Sequence, residues 1–181
     1  MPYVVAALVL VGAVALLNLV FTMGVVRRLR EHSELLAKPS GSKADDGLIP
    51  AGQIVDDFAT RSVSGDLVSR ADIERDTIVA FFSPHCQPCI EKVPQFVSYV
   101  AGLPRGRRQV IAVVAADEMF EAADMVGKLG PVATVVAAKD AKPMIDAFKT
   151  TGFPALYLMD DAGAVRAGGH SMSHLPGFVA A

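Results

Sequence analysis

A chain of 181 residues, 52% hydrophobic and 20% charged, with a formal charge of −2, has room for one folded domain and an appendage. Two cysteines cannot staple a scaffold of this length, the composition excludes collagen-like and disordered chains, and no repeat of solenoid or propeller type is visible. The mean hydropathy of +0.40 is too apolar for an ordinary soluble domain, and the excess lies in the first 26 residues.

Residues 4–26 carry no charge, and only Asn18 and Thr22 are clearly polar. At about 1.5 Å per residue the run covers the ~30 Å hydrocarbon core of a bilayer with some length left for tilt. A secretory signal needs positive residues ahead of a shorter run and a small-residue cleavage site; here Tyr3 stands on one border and Arg27, Arg28 and Arg30 on the other. The reading is an uncleaved single-span anchor, with residues 1–30 as the anchor segment and the lipid bilayer as a partner through 4–26. The arginines place the following part on the cytoplasmic side by the positive-inside rule.

Residues 31–53 are polar and punctuated by Pro39-Ser40-Gly41-Ser42 and Asp45-Asp46-Gly47, the pattern of a linker. Residues 54–181 are read as one domain. From Ala44 onward 12 Lys and Arg face 17 Asp and Glu, and the dense Arg105, Arg107, Arg108 cluster falls between a helix end and a strand. No basic face results, so nucleic acid is excluded as a partner.

The elements then follow in order. Residues 57–68 alternate weakly around Ser64-Gly65-Asp66 and predict a hairpin. Residues 77–82 (TIVAFF) form a short β-branched and aromatic run, predicting a buried strand that stops at Ser83-Pro84-His85-Cys86. Val93, Phe96, Val97 and Val100 recur at helical spacing until Gly102 and Pro104, with Pro94 expected to kink the helix. Residues 110–115 predict a second strand, 119–129 a helix, 132–137 a third strand and 143–148 a short helix. Residues 155–159 and 164–167 predict a closing hairpin around Asp160-Asp161-Ala162-Gly163, with Gly168-Gly169 as a turn. Strands alternating with helices, closed by an antiparallel pair, give an α/β class with a mixed sheet.

Both cysteines lie in Cys86-Gln87-Pro88-Cys89, where a buried strand meets a helix. A cysteine in the first helical turn meets free backbone N–H groups and the positive end of the macrodipole, which stabilise thiolate over thiol. Two intervening residues bring the second sulfur into bonding range, so the pair can close a disulfide after attacking another. Cys86, nearer the tip, is the expected nucleophile and Cys89 the resolving thiol. A redox-active Cys86–Cys89 disulfide needs no cofactor and no metal. A structural disulfide closing so short a loop adds little, and inert buried thiols are the other bland reading. Zinc is a further alternative, since His170 and His174 would complete a Cys2His2 set, though across far more residues than a finger spans.

These features resemble the thioredoxin superfamily. The closer likeness is to its membrane-anchored TlpA/ResA-like thiol–disulfide oxidoreductases, and the anchor running into Arg27-Arg28-Leu29-Arg30-Glu31-His32 is similar to the methylamine-utilisation protein MauD group. The resemblance covers about residues 53–169 and rests on Phe58, the Ser64-Gly65-Asp66 turn, the strand before the C-x-x-C pair, Pro94 and Phe153-Pro154. It implies a thioredoxin-like fold with a mixed central sheet, helices on both faces and an extra N-terminal β-hairpin. It further implies a cis bond before Pro154, and a substrate-binding surface of Phe153, Pro154, Pro84, Gln87 and Pro88. The activity implied is exchange with a disulfide-bearing partner protein, in the reducing direction because Pro88 precedes the second cysteine. Electrons would come from a membrane thiol transporter or thioredoxin. The resemblance also implies an extracytoplasmic domain, against the arginines, and that side is preferred because long domains cross largely regardless of charge.

Departures from the family are informative. Ala80 stands where thioredoxin has a buried carboxylate, and Lys92 where the ResA-like group has Glu, with Glu91 one position early. His85, as a cation beside Cys86, is a candidate thiolate stabiliser. The stretch after Pro176 leaves little room for a closing helix, so that end of the sheet is expected to be thinly covered, or shielded by the membrane or a partner. Two other functions are weighed. A peroxiredoxin-like peroxidase lacks its Pro-x-x-x-Thr/Ser pattern before Cys86, and a copper-delivery protein of the SCO type would use C-x-x-x-C.

Overall fold

The computed structural model describes residues 47–178 together with Tyr3, Gly12 and Leu16. The expected anchor at 4–26 and the linker up to residue 46 otherwise lie outside the described residues. Among the described residues, no helix is long and apolar enough to cross a membrane.

β1 (Ala59–Arg61) and β2 (Leu67–Ser69) form a separate antiparallel hairpin, turned by Gly65 at φ 91°, a conformation that glycine adopts without steric cost. The main sheet holds β3 (Ile78–Phe82), β4 (Val110–Val114), β5 (Thr134–Ala137), β6 (Ala155–Met159) and β7 (Val165–Gly169). Their spatial order is β5-β4-β3-β6-β7. β3, β4 and β5 run parallel, while β6 runs antiparallel to β3 and β7 to β6. The sheet is mixed, as the sequence pattern implies.

Every residue of β3, β4 and β6 is buried, which is why these strands read as continuous apolar runs rather than alternating ones. The two-residue period of a strand then sends alternate side chains to opposite faces. Ile78, Ala80 and Phe82 join Cys89, Val93, Phe96 and Val100 of α1 (Gln87–Ala101), and Ala122, Met125 and Leu129 of α2 (Met119–Leu129). Val79 and Phe81 face the other way, onto Met144 and Ala147 of α3 (Lys142–Ala147) and onto Phe58 and Val68 of the hairpin region. There Phe81, Phe148 and Tyr157 pack ring against ring with centroids 5.1 to 5.9 Å apart. Each such side chain contributes about 1.5–3 kcal/mol through burial. Two independent cores thus clamp the sheet whose upper edge carries the cysteines.

Four boundaries differ from the sequence reading. Val132 and Ala133 are not in β5; their N–H groups bond back to the Leu129 carbonyl at 3.0 and 2.9 Å, so the helix end winds on past Gly130-Pro131 before the strand starts. Gly168-Gly169 is strand, not turn: a Cβ at Gly168 would lie 3.0 Å from the Tyr157 ring, and one at Gly169 2.8 Å from His174 Nδ1. Only glycine allows those rings to approach the backbone this closely. Part of the stretch read as linker is packed into the fold. Ile49 is buried, and Gly52 and Gln53 exchange backbone hydrogen bonds with Val165 at 2.7 and 2.9 Å. Finally, residues 172–178 cover the end of the sheet expected to be thin. Met172 and Leu175 are buried in the core beside α1, Phe178 meets Tyr99 edge-on at 5.6 Å, and the Tyr99 hydroxyl donates to the Pro176 carbonyl at 2.8 Å.

Candidate functional site

β3 is the central strand, so the chain leaving it at Ser83 emerges at the middle of the sheet's edge and turns at once into α1. Cys86 is the N-cap of that helix, with extended backbone at φ −102° and ψ 106°. Its sulfur takes the part that a serine or aspartate oxygen plays in an ordinary cap. The Cys89 N–H donates to Cys86 Sγ at 3.3 Å and Pro88 stands in the first turn, where a missing N–H costs nothing. Cys86 is half-buried and Cys89 is buried. Both are thiols.

The two sulfurs therefore occupy different surroundings. Cys89 belongs to the apolar cluster that includes Ala80, Val93 and Phe96. Burial pushes its thiol up to about 12, reinforced by the hydrogen bond with Cys86 and by the Cys86 charge. A backbone hydrogen bond at Ser83 and the Lys92 ammonium pull the other way. Ala80 offers no carboxylate, and Glu91 does not replace one, because its Oε1 accepts from Gln87 Nε2 at 2.8 Å on the exposed face of α1. Lys92 is the positive charge that acts on the buried sulfur.

Opposite the helix tip, the Phe153–Pro154 peptide bond is cis, and the Cys86 thiol donates to the Phe153 carbonyl at 3.4 Å. Pro154 is buried, Phe153 and Pro84 are half-buried, and Gln87 and Pro88 are exposed. These residues, expected to contact substrate, surround Cys86 in sequence and in space. His85 is exposed and its Nε2 lies 3.6 Å from Glu121 Oε2 at the start of α2. Glu121 is held below the usual carboxylate range mainly by the Glu118 backbone N–H, with further help from the Asp117 N–H and from His85. The imidazole's charged neighbour is thus a carboxylate. Beyond His85 a cleft of about 460 Å³ opens, lined by Asp117, Lys139, Lys142 and Asp146 among others.

The Cys2His2 alternative is not assembled. His170 Nδ1 is 2.6 Å from the Pro154 carbonyl and His174 Nε2 is 3.1 Å from the Leu156 carbonyl, so both rings are committed to β6 and the residue before it. Burial holds His174 below its ordinary value. Among the described residues no group of three or more His, Cys, Asp or Glu side chains is gathered around a common point. The sequence offers His170 only as an alternative zinc ligand and gives Glu121 no role. No spacing in the sequence signals either contact, because each joins elements far apart along the chain.

Neither a protein-family model nor a curated protein sequence matches the chain. Solved structures do. The thioredoxin domain of a thiol-disulfide oxidoreductase from Bacteroides vulgatus is 15% identical, with 66% of this chain and 88% of that one covered at a TM-score of 0.53. A thiol:disulfide interchange protein of the thioredoxin family from Chlorobium tepidum is 21% identical, covering 68% and 88% at 0.53. StoA from Bacillus subtilis is 18% identical, covering 67% and 90% at 0.51. At such identities the likeness is one of fold: the chain has a thioredoxin-like α/β fold with a mixed central sheet.

Proposed function

We propose that the chain is a thiol–disulfide oxidoreductase in which Cys86 attacks a disulfide of a partner protein and Cys89 resolves the product. One observation carries the reading. A half-buried sulfur caps a helix, accepts from the Cys89 N–H at 3.3 Å, and faces the Phe153 carbonyl at 3.4 Å, with a second, buried thiol one turn below it.

The Cys86 thiolate forms a bond to one substrate sulfur, and the other leaves as a thiolate that takes up a proton. Cys89 then loses its proton and attacks Cys86 Sγ; the Cys86–Cys89 disulfide forms and the first substrate sulfur leaves as the second thiol. Two electrons pass from the chain to the substrate. A thiol donor, either a membrane thiol transporter or thioredoxin, restores the dithiol. The reducing direction is favoured because Pro88 stands immediately before the second cysteine, as in the reducing members of the superfamily that the sequence resembles. The full chain, reduced, freed of reductant and mixed with insulin, is expected to open about one insulin disulfide per chain while its own thiols disappear. Absence of exchange overturns the reading.

Phe153, Pro154, Pro84, Gln87 and Pro88 form the proposed surface for the segment flanking the target cystine. A role for His85 at Cys86 is proposed as well, weakened by its pairing with Glu121. His85→Ala is expected to change the pH profile of Cys86 alkylation, by about fivefold in rate at most, the effect of one nearby charge in water. Equal profiles remove His85 from the mechanism. We further propose a bilayer tether through 4–26 with the folded domain on the extracytoplasmic side. In intact cells a membrane-impermeant maleimide should then reach Cys86 after reduction; protection until lysis reverses the topology.

A further inference from the structure

The sequence offers His170 only as part of the zinc alternative, and its position in the fold is informative. It follows β7 directly and its side chain is exposed, yet Nδ1 lies 2.6 Å from the Pro154 carbonyl. The ring also runs along Gly152, with Cε1 3.6 Å from the point where a side chain there would begin. The imidazole therefore lies against both sides of Phe153, the residue whose carbonyl faces Cys86 at 3.4 Å. The backbone of His170 is fixed in turn, because Lys92 Nζ donates to its carbonyl at 3.0 Å. Lys92 stands in α1, one turn beyond Cys89.

These contacts close a ring. It runs from Cys86 to the Phe153 carbonyl, across the peptide to Pro154, through the imidazole to the end of β7, and through Lys92 back to the helix that carries both cysteines. We propose that His170 is a positioning residue, which orients the 152–154 backbone against the Cys86 sulfur and so selects disulfides carried on an extended peptide segment. The inference rests on the thiol–disulfide exchange proposed above. A protein disulfide brings a backbone that must lie along 152–154 to deliver its sulfur in line with Cys86, so the orientation of those peptide planes sets its reactivity. A small disulfide presents only sulfur and does not need that surface.

The contact requires a donor at the Nδ1 position. An asparagine amide nitrogen reaches about as far from the backbone as Nδ1, whereas a glutamine amide nitrogen reaches further, towards Nε2. The test uses the full chain and two substrates: a peptide with an intermolecular cystine bridge, and the small aromatic disulfide 5,5′-dithiobis(2-nitrobenzoate). His170→Ala should lower the rate constant with the cystine peptide about tenfold, the loss of one good hydrogen bond, while the rate with the small disulfide stays within twofold. His170→Asn should restore most of the peptide rate and His170→Gln should not. Equal losses with both substrates, or equal behaviour of Asn and Gln, make His170 merely structural and overturn the inference while the proposed exchange stands. If the parent chain exchanges with neither disulfide, the functional reading falls and takes this inference with it.

Discussion

Cys86→Ser is expected to abolish disulfide exchange while leaving the fold intact. Serine is among the best N-cap residues, and its oxygen can accept from the Cys89 N–H as the sulfur does at 3.3 Å. Helix α1 therefore keeps its cap, and the two cores packed against the sheet are untouched. The chemistry is lost because the thiolate is the nucleophile in exchange and a serine hydroxyl cannot form the mixed disulfide at all. With insulin as substrate the expected loss is on the order of a thousandfold or more, equivalent to roughly 4 kcal/mol of transition-state stabilisation. The check is the rate of insulin reduction beside a urea unfolding curve. An unchanged midpoint with no exchange is the expected result; retained exchange assigns the attack to another group and removes the basis of the proposed function.

The cysteine pair could be read from the sequence because its meaning depends on local order: a strand signal, two cysteines three apart and a helix signal in immediate succession. The same holds for 77–82, 110–115 and 155–159, where burial on both faces leaves an unbroken apolar run that any strand reading detects. Contacts made across the fold left no such trace. Gly168 and Gly169 carry a turn composition, yet they are strand because Tyr157 and His174 press against their backbone. Val132 and Ala133 have strand propensity, yet they complete the end of a helix. His170 and His174 are four apart in a metal-like spacing, but that spacing only reflects a strand end followed by a short turn (Met172–His174) that lays one ring on the carbonyl just before β6 and the other on a β6 carbonyl. Lys92 was visible as a departure from a family pattern. Its bond to the His170 carbonyl, 78 positions away, was not.

Cys89→Ser is expected to stop the reaction halfway, with substrate held on Cys86 through a stable mixed disulfide. Cys86 alone can attack, but without a second thiol the intermediate has no intramolecular exit. In the resting dithiol Cys89 is pushed up to about 12 first by burial, then by its hydrogen bond with Cys86 and by the Cys86 charge. Once Cys86 is bonded to substrate both of its contributions to Cys89 are lost and only burial opposes ionisation, offset by the Lys92 ammonium and the Ser83 backbone. Capture of substrate itself thus prepares Cys89 to attack. The parent's escape from the mixed disulfide should accelerate by about tenfold per pH unit through the neutral range, as the thiolate fraction does below its pKa; a rate that ignores pH there sinks the assignment of Cys89 as the resolving thiol. Stability carries the same signature in the reduced chain. The folded-state pKa lies above the ordinary value of 9.0, so the stability linked to the neutral thiol is fully present below about 9 and is lost as pH rises towards about 12. The Cys89→Ser chain has no such group, and the gap between the two urea midpoints should move against the parent across that window and stay constant below it.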